Sequence, residues 1–292
     1  MKSLARIAIA LLIAAVFSAS AADRQILLIA GPPSHGPLAH EQNAAALLLK
    51  KWLNGVPGVH ATAVLNGWPE DRGSIEKADA IFVFCDGSGK HLIFQGDHVE
   101  EVRKAAARGA GLMLYHYAVE PPASQGHEDF LDWIGGYFEL NHSVNPVWVA
   151  DFRSFPKHPI TRGVKPFQIR DEWYFNIRFR DQMRGITPIL MATPPAQAFE
   201  GKDGPRSGNP DVRAKIGQPQ ILAWAIERAD GGRGVGFTGG HFHLNLGDDN
   251  FRKIVLNSLV WVSKAQVPPH GVEVQVTHAE LMEHLDPKPA QN

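Results

Sequence analysis

The chain has 292 residues, a formal net charge of −1 and a hydrophobic content of 44%. A chain of this length and composition can bury a sizeable hydrophobic core. Because its charge is balanced, without a basic stripe or an acidic tail, we expect neither nucleic acid nor a membrane surface as a partner. Cys85 is the only cysteine in the sequence, so no intramolecular disulfide can form.

The beginning of the chain has the composition of a secretory signal peptide. Residues 1–6 are basic, residues 7–17 form an apolar run and residues 18–22 are small. The apolar run is too short for a permanent transmembrane helix, and the small residues favour cleavage near Ala21 or Ala22. We therefore expect a signal peptide at residues 1–22 and a secreted or periplasmic mature protein without stable membrane insertion.

Strand and helix patterns alternate along most of the mature chain. Strands have the apolar runs of buried sheet residues, and helices have apolar positions at helical spacing. This alternation predicts an α/β fold, a flavodoxin-like sandwich with a parallel sheet between layers of helices. The predicted strands cover residues 25–30, 60–65, 80–85, 111–116, 220–225 and 233–238, and the predicted helices cover residues 41–55, 97–108 and 250–264.

Two regions depart from this alternation. Extended segments at 145–152 and 167–175 predict antiparallel strands, at the edge of the sheet or in a small lobe. Residues 195–219 combine prolines and glycines with scattered charges, which indicates a surface loop. We expect one α/β domain at residues 23–266 and a C-terminal extension at residues 267–292 that packs on its surface.

Histidines occur where predicted strands end. If the strands are parallel, the loops that follow them open on one edge of the sheet, where ligands usually bind. Glycines beside the last two of these histidines permit close approach of the backbone. The histidines that we expect at this edge are His35, His40, His116, His241 and His243.

These histidines suggest a mononuclear metal site. Neutral imidazole is a common ligand of divalent transition metals such as zinc, and a carboxylate can complete the ligand set. We predict His40, Glu41, His241 and His243 as ligands. The spacing matches no recognised zinc motif, so histidines that act by hydrogen bonding or acid–base chemistry in the same pocket are the alternative.

The segment from Asp171 to Tyr174 combines two acids with two aromatic rings. Neighbours on a strand face opposite sides, so one of the two acids can point into a given pocket, and we select Glu172. The rings of Trp173 and Tyr174 could stack on the C–H face of a sugar, or they could fill the core. The sequence leaves both roles open.

Cys85 and Asp86 stand at the end of a strongly apolar strand. A nucleophilic cysteine needs exposure and a lowered pKa, so we interpret Cys85 as a buried structural thiol. Asp86 is the first polar residue after the strand, which suggests substrate binding or a turn cap. The sequence contains no G-x-S-x-G elbow, no P-loop and no complete G-x-G-x-x-G after the first strand, so we expect no nucleotide cofactor.

Four motifs together resemble the ThuA, or trehalose-utilisation, family of the class I glutamine-amidotransferase-like superfamily. They are GPPSHGPLAHE, GAGLMLYHYAVE, DEWYF and GRGVGFTGGHFHLNLGDDNFRKIVLNSLVWV. The resemblance extends over residues 25–265 and implies a flavodoxin-like domain. It places His116 where amidotransferase relatives have their nucleophilic cysteine, so hydrolysis of glutamine through a thioester is not expected.

The resemblance also implies a role in the catabolism of disaccharides, including their 3-keto derivatives. We expect an enzyme in which His116 is the base, His241 and His243 are metal or oxyanion partners, and Glu41 and Glu172 support them. A non-catalytic sugar-binding module and a metal-dependent amide or ester hydrolase are the alternatives. The predicted substrate-binding residues are His35, Asp86, Trp173, Tyr174 and Asn245.

Overall fold

A computed structural model describes residues 23–288 of the chain. The predicted signal peptide at residues 1–22 lies outside the described residues, as does the end of the predicted extension, residues 289–292. None of the helices within residues 23–288 has the length and apolar character needed to span a lipid bilayer.

The strands within the described residues form one seven-stranded sheet and two two-stranded sheets. In chain order they are β1 (Arg24–Ala30), β2 (Val59–Val64), β3 (Ala80–Phe84), β4 (Gly111–Tyr115), β5 (Gly136–Tyr137), β6 (Val147–Phe152), β7 (Phe167–Glu172), β8 (Arg178–Phe179), β9 (Ile186–Ala192), β10 (Gln220–Glu227) and β11 (Arg233–Phe237).

The helices surround the large sheet. The α-helices are α1 (Gln42–Leu53), α2 (Gly73–Lys77), α3 (His98–Ala107), α4 (His127–Trp133), α5 (Pro210–Arg213), α6 (Asp249–Val262) and α7 (His278–Leu281).

The large sheet has the order β2-β1-β3-β4-β11-β10-β9. Its first five strands run parallel to one another, and β10 runs antiparallel to both β11 and β9. The predicted α/β fold with a mainly parallel sheet is therefore confirmed. The antiparallel edge consists of β9 and β10, whereas the predicted segments at 145–152 and 167–175 pair with each other as β6 and β7 in a separate sheet.

The central strands are buried because helices cover both faces of the sheet. Successive residues of β1 alternate between two cores: Leu28 contributes to the core that includes α1 and α6, and Leu27 to the core that includes α3. Strand β9 was not predicted from the sequence, since Pro188 interrupts its apolar pattern. A proline is tolerated there because β9 is the outermost strand of the sheet.

The parallel strands place three loops at one edge of the sheet. These loops follow β1, β4 and β11, whose carboxyl ends point in the same direction. A short 3-10 turn, His116–Val119, begins directly after β4, and another, His243–Gly247, follows β11. The loops that carry the predicted histidines therefore meet.

Candidate functional site

Three histidines and one glutamate bring their ligand-type atoms together at this edge. Nε2 of His40 lies 3.1 Å from Nε2 of His116 and 3.1 Å from Nδ1 of His241. Oε2 of Glu172 lies 3.5 Å from Nε2 of His116 and 3.3 Å from Nδ1 of His241. We call these four residues the histidine–glutamate cluster. They come from four separate parts of the chain: the loops after β1, β4 and β11 of the large sheet, and the end of β7 in the separate two-stranded sheet.

Two members of the cluster have a left-handed backbone conformation. The φ angle is 48° at His40 and 54° at His116. A non-glycine residue in this region costs roughly 1–3 kcal/mol, and such strain is concentrated at functional sites. The N–H group of His40 donates a hydrogen bond of 3.0 Å to the carbonyl oxygen of His241, which links the two loops.

The turn after β11 requires glycine at position 240. Its φ angle is 114°, and a side chain there would overlap the ring of Tyr115. The chain can therefore pass close to the end of β4 before it presents His241 to the cluster.

The two most buried imidazoles of the cluster are neutral. Nδ1 of His116 lies 2.8 Å from the carbonyl oxygen of Thr238, which can only accept, so Nδ1 carries the proton and Nε2 offers a lone pair. Burial lowers the pKa of His116 well below its usual value and, likewise, lowers the pKa of His40 to about 4. At neutral pH the cluster is therefore rich in lone pairs.

The adjacent acids of β7 face opposite sides and have different roles. Oε1 of Glu172 accepts a hydrogen bond of 3.2 Å from Nδ2 of Asn145, which leaves Oε2 to face the cluster. Asp171 is buried and accepts hydrogen bonds from the N–H groups of Gly240, at 2.6 Å, and His241, at 3.0 Å. Burial raises the pKa of Asp171. Asp171 thus fixes the turn that carries His241. Its side chain points away from that of Glu172 because successive residues of a strand face opposite sides.

A second group of polar side chains lies between the cluster and solvent. The ring of His35 stacks on that of His40, with centroids 3.5 Å apart and planes 18° apart. Oδ1 of Asp86 lies 3.7 Å from Nδ1 of each ring. Imidazole lone pairs lie in the ring plane, so two stacked, nearly parallel rings cannot direct them at one ion. Asp86 therefore lies outside the cluster and faces His40 at a distance too long for a hydrogen bond.

Two predicted ligands, Glu41 and His243, face away from the cluster. Glu41 accepts hydrogen bonds from the N–H groups of Leu38 and Asp286, each at 2.7 Å. Nε2 of His243 lies 2.8 Å from the carbonyl oxygen of Leu281. Both side chains point towards the C-terminal segment. Their places among the candidate ligand atoms are occupied by His116 and Glu172, which the sequence analysis assigned to catalysis.

The predicted substrate-binding aromatics lie in the interior. Trp173 is fully buried and packs against Phe237 and Phe251, so its ring presents no face to a sugar. Tyr174 is also buried, and its hydroxyl group lies 3.2 Å from Nε2 of His116. Asn245 donates a hydrogen bond of 2.9 Å to the carbonyl oxygen of Arg170. Of these three residues, Tyr174 alone is in contact with the cluster.

The 195–219 region contributes a charged contact near the site that the sequence did not reveal. Arg206 donates to the carboxylate of buried Glu120, with Nε 2.9 Å from Oε2. Its guanidinium carbon lies 5.8 Å from the centre of the Tyr117 ring. Glu120 and Tyr117 belong to the segment that follows His116. The pairing partners are distant in sequence, so no local pattern could have identified them.

Comparisons with known proteins address both family and fold. A family model described as trehalose utilisation, ThuA, matches residues 35–262. A ThuA-like protein from Bacteroides uniformis has 16% sequence identity and a TM-score of 0.57 over 84% of this chain and 93% of its own. A ThuA-like protein from Parabacteroides merdae has 14% identity and a TM-score of 0.51 over 88% of this chain and 94% of its own. No curated protein matches the sequence.

Proposed function

Since this chain belongs to the ThuA family of trehalose utilisation, we propose that it is a metal-dependent enzyme acting on a disaccharide or its 3-keto derivative. The family match confirms the resemblance drawn from the motifs and supports a carbohydrate-related role. The observation that carries the finer proposal is the histidine–glutamate cluster, all of which lies within the matched residues.

The spacing of the cluster fits a divalent transition metal. Zinc is held about 2.0–2.2 Å from nitrogen and oxygen ligands in tetrahedral geometry, which places the ligand atoms about 3.3 Å from each other. Four of the six separations between the ligand atoms measure 3.1, 3.1, 3.5 and 3.3 Å, and all six lie within 4.8 Å. Neutral imidazoles and a carboxylate also bring more lone pairs to the centre of the cluster than there are protons to share. A bound cation would satisfy these lone pairs.

Outer partners hold the proposed ligands in orientation. The carbonyl oxygen of Thr238 fixes the ring of His116, and Asn145 fixes the carboxylate of Glu172. Such partners commonly select the tautomer and the ring orientation of a metal ligand. A bound metal would supply Lewis acidity towards a carbonyl or hydroxyl oxygen of the sugar.

His35 is the candidate base for the sugar. Ser34 Oγ donates to Oδ1 of Asp86 at 2.6 Å and lies 3.0 Å from Nδ1 of His35, so Nδ1 carries the proton and Nε2 is free to accept one. Burial lowers the pKa of His35, and its side chain is 37% exposed. A ketone acidifies the proton on the neighbouring carbon, which a neutral imidazole can remove.

His116 and Tyr174 have other roles in this proposal. His116, selected as the base from the sequence, directs its free lone pair into the cluster and acts as a ligand. Burial raises the pKa of Tyr174 well above its usual value, so its hydroxyl group stays protonated beside the cluster. The burial of Trp173 weighs against the alternative of a binding module based on aromatic stacking.

Metal content and turnover test the proposal together. Residues 23–292 would be purified without a histidine tag, beside a His40→Ala/His241→Ala variant, and both would be assayed on disaccharides, their 3-keto derivatives, and simple amides and esters. We expect about one equivalent of metal in the parent, lost in the variant, and turnover of the sugars that chelators abolish. A parent that binds no metal when supplied with zinc, cobalt or manganese would contradict the proposal. Turnover of amides or esters alone would favour the hydrolase alternative.

A further inference from the structure

The C-terminal segment, residues 267–288, contacts the loop that carries His40. We propose that this segment is a strap that positions His40, with Lys288 as the positioning residue. The inference rests on the proposed function, because His40 is one of the proposed ligands. The strap itself contains none of the cluster residues.

Lys288 is a buried cation whose partners all lie in one loop. Its Nζ lies 3.1 Å from Oε1 of Glu41, and the two side chains are only 2% and 1% exposed. The same ammonium group donates to the carbonyl oxygens of Gly36, at 3.2 Å, and Ala39. Burying a charge is costly unless it is paired and hydrogen-bonded, and here three acceptors satisfy it.

The partners of Lys288 flank His40 on both sides. Ala39 precedes His40 and Glu41 follows it, so the ammonium group bridges the backbone before the ligand and the carboxylate after it. Glu41 also accepts from the N–H groups of Leu38 and Asp286, so its carboxylate joins the loop to the strap. His40 has a left-handed backbone, a conformation that persists only when surrounding contacts hold it.

The strap also contacts the loop of the opposite ligand. His243 comes two residues after His241, and its Nε2 lies 2.8 Å from the carbonyl oxygen of Leu281 in the strap. Its N–H group donates to the carbonyl oxygen of Leu38 at 2.9 Å. One segment therefore supports both loops, and a shift of its end would change the separation between His40 and His241.

Lys288→Met tests the inference, with Lys51→Met as the matched control. Lys51 also pairs with the strap, at 3.0 Å from Oε1 of Glu280, but its side chain is 63% exposed, and Trp52 also donates to Glu280 through Nε1 at 3.0 Å. We expect Lys288→Met to weaken Co²⁺ binding about 10–100-fold, as loss of an outer partner does, and to alter the visible absorption of the bound Co²⁺. Lys51→Met should leave both unchanged.

Hydrogen exchange of the metal-free proteins provides a readout that does not depend on the metal. The amides of Leu38 and His40 should exchange faster in Lys288→Met and at the parental rate in Lys51→Met. A Lys288→Met protein with parental exchange at these amides would overturn the strap. A parent that binds no Co²⁺, with faster exchange in the variant, would instead overturn the proposed function and leave the strap supported.

A double variant guards against simple unfolding. Glu41→Gln/Lys288→Met removes both charges of the pair, so neither of them stays buried without the other. We expect this protein to be more stable than Lys288→Met alone, yet still to bind Co²⁺ more weakly than the parent, because the bridge across His40 is absent. Parental Co²⁺ affinity in the folded double variant would contradict the role of Lys288.

Discussion

Two fully buried histidines of this protein have opposite surroundings. His91, in the turn after β3, accepts from the N–H group of Ile93 through Nδ1 and lies 2.9 Å through Nε2 from the carbonyl oxygen of Ala118. His116, after β4, contacts the carbonyl oxygen of Thr238 through Nδ1, whereas its Nε2 faces the cluster. Burial lowers the pKa of both. Burial and pKa therefore do not identify a ligand; the environment of the second nitrogen does.

The sharpest test of this comparison is to replace each histidine in turn. His116→Ala removes a proposed ligand, so zinc affinity should fall by well over the roughly 10–100-fold that loss of an outer partner costs. His91→Gln should destabilise the fold but leave zinc affinity unchanged, because both nitrogens of His91 serve the backbone. Competition with a chromophoric chelator measures both affinities. Equal losses in the two variants would mean that burial alone sets the metal affinity.

The adjacent acids of β7 extend the comparison to carboxylates. Asp171→Ala would leave the N–H groups of Gly240 and His241 without their acceptor, so we expect a loss of about 3–5 kcal/mol in the free energy of unfolding. In Glu172→Gln the amide oxygen can still accept the hydrogen bond from Asn145, so we expect little loss of stability. Zinc binding should weaken because the carboxylate is gone. Urea unfolding of the metal-free proteins measures the first effect. A larger loss of stability in Glu172→Gln would reverse these roles.

The sequence predicted where histidines would gather but not which nitrogens would meet. Apolar runs identify β1, β4 and β11, and parallel strands bring the loops after them to one edge. The orientation of His116 depends on the carbonyl oxygen of Thr238, and a backbone carbonyl has no sequence signature. Glu41 adjoins His40 in sequence, yet the left-handed turn at His40 sends it towards Lys288.

The comparison also predicts how stability depends on pH. The pKa of His91 falls from 6.5 to about 4 on folding because the ring is buried. Between these values the unfolded chain binds a proton that the folded protein excludes, so His91 contributes stability above pH 6.5 that is lost as the pH falls towards 4, about 3 kcal/mol in total.

His91→Gln should remove that contribution to the pH dependence. Other titrating groups, including the cluster, are common to parent and variant, so the difference between the two proteins isolates His91. Urea unfolding of the metal-free proteins at pH 7 and pH 4.5 would measure it, and the variant should lose less stability on acidification. Identical losses would show that His91 is protonated in the folded protein.

The smallest expected effect concerns Cys85, which belongs to the structural side of the comparison. Its thiol is fully buried, and burial raises its pKa to about 12. A protonated, inaccessible thiol is a poor nucleophile, so the folded protein should resist alkylation at pH 8 and react once unfolded in urea. Cys85→Ala should cost about 1 kcal/mol of stability and leave zinc affinity and turnover unchanged. Rapid alkylation of the folded protein with loss of turnover would instead place a reactive thiol beside Asp86. Cys85 would then belong with the residues that take part in the chemistry and not with those that only stabilise the fold.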